Sequence, residues 1–410
     1  MQVHTPPFLF HIYLVLSVKT YYPALTGIRA IAAYLVFFYH FSPERIDWGW
    51  LPKGSWTSRF LEEWHIGVPI FFVLSGFLIT SRYQHYVQFT SAWWGRYIRN
   101  RVARIFPMYA LLTLLTFAVF AWFPAWDKAG DLTGRTLLQR LFILFSNLTF
   151  LRGYFDDLKF TGLPQGWSLT VEECFYFTAP FLLVGLRRST WRLVWYALLI
   201  GAIGLALLGI GRLVDGVHYV GAFGFMRTPM LLLNFTFFGR CVEFLAGIGL
   251  ALYLQRHPVA QYHGSRFTLL GAAAVGVCAW LLMLTETPLD GANGTSSYAG
   301  IAVNNLLLPG GVVLLFYGLI AERSWFRALL ETKLLELLGK SSYVFYLVHI
   351  GVFSTAISQY LTDSLAVKFV LLNLLSIALF RLVEEPLHRL LTRANRSPRP
   401  VAESIPGLMS

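Results

Sequence analysis

Charge is what this chain has least of. Asp, Glu, Lys and Arg make up 13% of its 410 residues, against 56% hydrophobic ones. Soluble domains carry about 25% charged residues, so a soluble globular protein is excluded. Cysteine is scarce too. Cys174, Cys241 and Cys278 all stand in apolar runs, which excludes a disulfide framework and leaves no metal-ligand spacing. HExxH, P-loop and GxSxG motifs are all missing, so the signatures of zinc hydrolysis, phosphate cradling and the nucleophile elbow are missing with them. No metal is expected. There is no internal repeat of the kind found in many transporters. Residues 1–20 lack a basic n-region and a small-residue cleavage site, so they do not read as a signal peptide.

What is present is a series of apolar runs separated by basic clusters. The net charge of +12 therefore reads as orientation in a bilayer and not as affinity for nucleic acid. Ten runs are long enough to span: 25–41, 66–82, 105–123, 168–186, 191–210, 230–254, 267–285, 300–320, 341–360 and 365–383. The fold expected is all-α, a polytopic membrane bundle of about ten transmembrane helices. Both termini fall in the cytoplasm, because that orientation puts most of the 33 Lys and Arg on the inner side. Residues 1–24 form a lead-in, 25–390 the membrane domain, and 391–410 a basic, disordered tail. Residues 141–151 are apolar but short, and read as a re-entrant or interfacial piece. Residues 321–340 read as a mixed-charge cytoplasmic helix. The largest outer connection, 124–167, is expected to form a small ordered cap, with Trp126, Tyr154 and Trp167 available to stack on sugar faces.

Ionisable residues inside spans are costly and mark function more often than decoration. Arg29 and His40 lie in the first span, LTGIRAIAAYLVFFYH. Eleven residues is about three helical turns, so both fall within about 20° of one face, roughly 16 Å apart. The plainer reading is a snorkelling arginine and a histidine that ends the helix. GVPIFFVLSGFLIT holds Ser75 and Gly76, which read first as close helix packing. Arg101 and Arg104 in RYIRNRVARIFPMY share a face. Their forks suit phosphate oxygens, and they also suit a positive-inside anchor. Ser168, Glu172 and Glu173 follow Trp167 at the start of the fourth span. Either carboxylate could act as acid or base, hold a histidine or sugar hydroxyl, or pair a neighbouring arginine. Arg240 and Glu243 are spaced for an intrahelical pair. Tyr346 and His349 sit one turn apart in LGKSSYVFYLVHI, and Glu384-Glu385-Pro386 reads as the end of the tenth span.

Taken in this order, the blocks LTGIRAIAAYLVFFYH, GVPIFFVLSGFLIT, RVAR, WSLTVEECFYFTAP, FGRCVEFLAG, LGKSSYVFYLVH and VEEP resemble the acyltransferase-3 family of integral membrane acyltransferases. They run from residue 25 to about 390. The resemblance implies a ten-helix membrane domain of a multi-pass protein in a bacterial inner membrane. It implies transfer of an acyl group, often acetyl, from cytosolic acyl-CoA as co-substrate to a carbohydrate hydroxyl at the outer side. It makes His40 the catalytic histidine, Arg29 its partner and a donor contact, and Arg101 and Arg104 the acyl-CoA contacts. Ser168 and Glu172 fall on the family's S-x-x-x-E positions. Glu172 would orient His40 or the acceptor, with Ser75, Trp167, Glu173 and His349 in support. Cys174 stands where glutamine is common, and Ile350 where an aromatic is usual. Some members carry an appended esterase-like domain, which is not expected within this chain. The rival reading is a transporter or flippase for a lipid-linked glycan.

Overall fold

In the computed structural model, residues 21–187, 189–216, 223–286 and 293–393 are described. The expected lead-in and tail lie almost wholly outside them. Among the described residues there are no strands, only two isolated bridges, Phe155 to Phe225 and Tyr262 to Glu322.

Eight helices are long and apolar enough to cross a membrane, and a ninth if a sharply bent pair is one span. The helices that matter below are α1 (Pro23–His40), α2 (Gly67–Tyr83), α3 (Ser91–Trp122), α4 (Leu137–Leu148), α5 (Trp167–Leu186), α6 (Arg192–Gly216), α7 (Phe237–Arg256), α8 (Arg266–Thr285), α9 (Leu308–Ala321), α10 (Lys333–Val348), α11 (Val352–Tyr360), α12 (Leu365–Leu379) and α13 (Glu385–Arg393). The one expected span left over is the first, 25–41, which is α1 and is not among the nine. Arg29 and His40 interrupt its apolar run, and it packs chiefly between α2 and α10.

Glycine sets those contacts. A Cβ on Gly27 would meet the Leu330 carbonyl oxygen at 2.2 Å, and one on Gly339 the Thr26 oxygen at 1.9 Å. The α2–α7 crossing repeats the device, with Gly76 facing the Phe244 oxygen at 2.1 Å and Gly247 the Val73 oxygen at 2.0 Å. Without water to drive association, such close backbone approach is what holds membrane helices together. Phe72, Phe244 and Phe175 stack beside it, with ring centroids 4.7 and 4.4 Å apart. By contrast α6 turns Leu198, Leu199, Leu205 and Leu213 outward, where lipid is their solvent.

Four expectations change. The third helix begins at Ser91, capped by Thr90, not at 105. Its 32 residues reach about 48 Å, beyond a hydrocarbon core of about 30 Å, so the arginine-bearing turns project past the bilayer. The run 341–360 is broken: α10 and α11 meet at 85°, around Gly351 at φ +82°, a conformation glycine adopts freely. Residues 321–340 hold a short helix, Trp325–Leu330, and then the first turns of α10. Pro386 does not end a span. A wide π turn at Phe380–Glu384 leads directly into α13, and the proline falls in that first turn, where its missing N–H does least harm. Residues 141–151 keep the expected short form as α4, which is not long enough to cross.

Candidate functional site

Three hollows run end to end through the bundle. The first is a basic basin beside the N-terminal half of α3, where Arg82, Arg101, Arg104, Lys340 and Arg381 meet Arg29 and Glu384. The middle hollow shares Arg29, Arg101 and Arg104 with it and continues between Ser75, Ser168, Glu172 and Tyr343. The third, of about 1140 Å³, holds His40 and shares Val68 and Tyr346 with the middle one. Arg29 and His40 thus stand at opposite ends of one route, along the helix that the glycine contacts clamp.

In the basin, Arg104 forms no ion pair, and neither do Arg29, Arg82 and Arg381, among the described residues. Arg29 feels Arg104, Glu384 and Glu172. Arg101 is buried, its guanidinium 5.6 Å from both the Tyr83 and Tyr176 rings and 3.5 Å from the Tyr83 hydroxyl. These are forks held in place with donors to spare, the arrangement that suits phosphate oxygens.

In the middle, the Ser75 hydroxyl donates to Glu172 at 2.8 Å, and Tyr176 donates to the same carboxylate oxygen. Glu172 therefore makes its hydrogen bonds to α2 and to its own helix and lines the middle hollow, and no hydrogen bond joins it to His40 among the described residues. Glu173 points elsewhere and lines none of the hollows. Ser168 shares a 2.9 Å hydrogen bond with the Tyr346 hydroxyl, which also donates to the Gln165 carbonyl at 3.2 Å. This pinned tyrosine, with Val68, forms the wall shared by the middle hollow and the one that holds His40.

At the far end, the His40 ring has no hydrogen-bond partner among the described residues, so both its nitrogens are open to the hollow. Its neighbours are the Tyr39 ring at 4.7 Å and the His349 ring at 5.2 Å. His349 sits at the α10–α11 break, fully buried, with Nδ1 2.7 Å from the Tyr346 carbonyl. Trp167 lines the same hollow, edge-on to Phe235 at 4.9 Å.

The sequence did not single out Arg45, His65, Gln165 or Asn293, which all line this hollow. Asn293 donates to the Tyr39 hydroxyl at 3.0 Å. Arg45 pairs with Glu62 and lies 4.4 Å over the Tyr39 ring. Burial works to lower the Arg45 pKa, and Tyr39 and Glu62 more than reverse it. Arg240 and Glu243 form the expected intrahelical pair, 2.8 to 3.0 Å apart and buried. A polar residue beside a conspicuous histidine, as in HFSPER and EWHIG, was the available signal.

The cap over 124–167 is ordered around Arg152, which is fully buried. It donates to Asn147 at 2.7 Å and to the Thr161 and Leu163 carbonyls. Burial pushes its guanidinium below the ordinary arginine value. Tyr154 packs against Phe238 instead of presenting a free face, and Trp126 stacks on Tyr360 at 6.1 Å. All three cysteines are free, and no cluster of metal-ligating side chains occurs among the described residues.

The chain is similar to the O-acetyltransferase OatA of Staphylococcus aureus. In strains NCTC 8325 / PS 47, COL and MRSA252 the two are 23% identical over 383 residues, covering 90% of this chain and 57% of the relative. The chain thus spans little more than half the length of the curated relatives it matches. No solved structure matches it. The family model for the acyltransferase domain, Acyl_transf_3, matches residues 22–382, nearly the whole set of helices that encloses the three hollows, and the chain belongs to that family.

Proposed function

We propose that this chain is the membrane domain of an O-acyltransferase that moves an acyl group, acetyl in the first instance, from acyl-CoA to a hydroxyl of a glycan. The donor's phosphates rest in the arginine basin on the cytoplasmic side, against Arg101 and Arg104, with Arg29 further in. Its thioester extends through the middle hollow past Ser75 and Glu172. The acceptor meets it at His40, on the outer side of a bacterial plasma membrane. The observation that carries this reading is the shared walls: Arg29, Arg101 and Arg104 belong to the first two hollows, and Val68 and Tyr346 to the last two.

His40 acts as general base or as acyl carrier. As base, a ring nitrogen takes the acceptor hydroxyl's proton while the oxygen attacks the thioester carbonyl, and the CoA thiolate leaves. As carrier, the nitrogen attacks first and the CoA thiolate leaves with the ring proton; the acceptor oxygen then displaces the imidazole, which takes up the hydroxyl's proton. Both need a neutral ring with a free nitrogen, and His40 makes no hydrogen bond among the described residues. His349 supports the ring, and Glu172 fixes the wall through which the donor passes.

The test is release of free CoA from acetyl-CoA by the purified protein and its His40→Ala variant, with a panel of glycan acceptors. Acceptor-dependent release that the variant loses while still binding acetyl-CoA is the expected outcome. Equal release by the variant would overturn the assignment of His40. Failure of the protein to bind or consume acetyl-CoA would overturn the acyltransferase reading.

A further inference from the structure

A fourth hollow, of about 1400 Å³, adjoins the His40 cavity and has no part in the donor route. Phe160 and Pro164 line both, and the consecutive residues Ile350 and Gly351 face one each. The wall between them is built. Asp131 accepts the Gly162 N–H at 2.6 Å, Asn147 donates to Thr161 at 2.8 Å, and Arg152 ties down the carbonyls of Thr161 and Leu163. On the far side stands the α10–α11 break. Asp131, Asn147, Arg152 and Thr161, all buried, fix the loop that forms this wall.

Its lining has a definite chemistry. Trp126 lies there, near-parallel to Tyr360 at 19°, with Thr355, Ser358 and Gln359 beside it. The charged members are Lys128, Asp131 and Asp363, so there is no excess of cations to attract a nucleotide. An aromatic face with hydroxyls and an amide is what a sugar ring needs, since its C–H face is apolar and its rim is all hydroxyl.

We infer that this trough is the acceptor's flanking subsite: it holds the sugars next to the one being acylated, so the substrate is a chain of sugars and not a free monosaccharide. The inference rests on the glycan-acceptor reading above and sharpens it. The reacting sugar occupies the His40 cavity, its neighbour passes Phe160 and Pro164, and the next lies along Trp126 and Gln359.

The experiment uses the purified full chain, acetyl-CoA, and linear oligomers of glucose, mannose and N-acetylglucosamine from one sugar to six. CoA release is measured for wild type, Trp126→Ala and Ser358→Trp. The second variant fills the trough without deleting a packed ring, so a folding defect in the first does not decide the matter. For the series that is acylated, kcat/KM is expected to rise about tenfold or more with length, roughly the value of one good stacking contact. Either variant should abolish most of that rise, seen as a fall in the long-to-short ratio. Transfer that ignores length, or a ratio that Ser358→Trp leaves intact, overturns the inference while the transferase reading stands. Binding of acetyl-CoA with no oligomer acylated overturns the inference together with the glycan part of that reading. Loss of acetyl-CoA binding itself would instead defeat the acyltransferase reading.

Discussion

The two ends of the route use arginine in opposite ways. Around His40, Arg45 is tied to Glu62 and Arg240 to Glu243. In the basin, Arg389 at the outer rim pairs with Glu385, but Arg29, Arg82, Arg104 and Arg381 have no carboxylate within ion-pair distance among the described residues. A cation already matched by a buried carboxylate is part of the frame, and removing its partner leaves an uncompensated charge. An unmatched cation at a wet mouth is available to an arriving anion. The same residue type is thus matched within the frame at one end and left largely unmatched at the other, and the partners distinguish them where charge counts do not.

The largest effect that would sharpen this contrast is Glu243→Ala. It should cost about 3–5 kcal/mol by stranding Arg240, read as a large drop in the thermal unfolding temperature in detergent or a failure to accumulate. Arg104→Ala should shift stability by no more than about 0.5 kcal/mol; a loss as large as that of Glu243→Ala would break the comparison. Next, Arg104→Ala should weaken acetyl-CoA binding by about 1.5–3 kcal/mol, the worth of hydrogen bonds to a charged group, and the loss should shrink as salt is raised. Arg101→Lys tests the fork itself, since charge is kept and geometry is not; unchanged affinity would return Arg101 to the role of a topology anchor. Smaller still, Tyr346→Phe should cost about 1 kcal/mol for its bonds to Ser168 and Gln165, measured by the same unfolding.

The smallest effect concerns a carboxylate that belongs wholly to the frame. Glu322 accepts the N–H groups of Phe267 and Thr268 at 2.8 Å each, together with the Thr268 hydroxyl, so the residue after α9 caps the start of α8. Burial works to raise its pKa, and these bonds outweigh it, holding the carboxyl below the ordinary carboxylate value. Its contribution is present above the unfolded pKa of about 4.3 and lost as pH falls through the lower folded value. Glu322→Gln should flatten that part of the acid-unfolding curve, and an unchanged curve would remove Glu322 from the account.

Much of this was legible in the sequence where the governing contacts are local. Arg240 and Glu243 are three residues apart, so spacing alone gave their pair. Gly76 in LSGF read as close packing, and close packing is what it does. The spans followed from apolar length. What could not be read depends on elements distant in the chain. Nothing in HIGVF announces that the helix breaks there, because Gly351 within an apolar run looks like a tolerated glycine; nor does spacing show that α10 packs on α1 and so sets His349 beside His40. The Ser75 hydroxyl that donates to Glu172 lies on another helix, so spacing within one span could not give that bond. Arg152 looked like any loop arginine. Its burial depends on carbonyls at Thr161 and Leu163 that only the folded cap brings to it. Pro386 misled because a wide turn just before it absorbs the defect that a proline normally makes.

The clamp at Gly27 and Gly339 has a mechanical consequence. Here α1 is pressed against backbone that leaves no room for a side chain, and the interval between Arg29 and His40 along it is set at about 16 Å by helical rise. The helix is therefore a ruler. On the proposed route, a donor whose charged end is seated near Arg29 must span that interval for its reactive carbon to arrive at the imidazole. Any that falls short can bind and still never react.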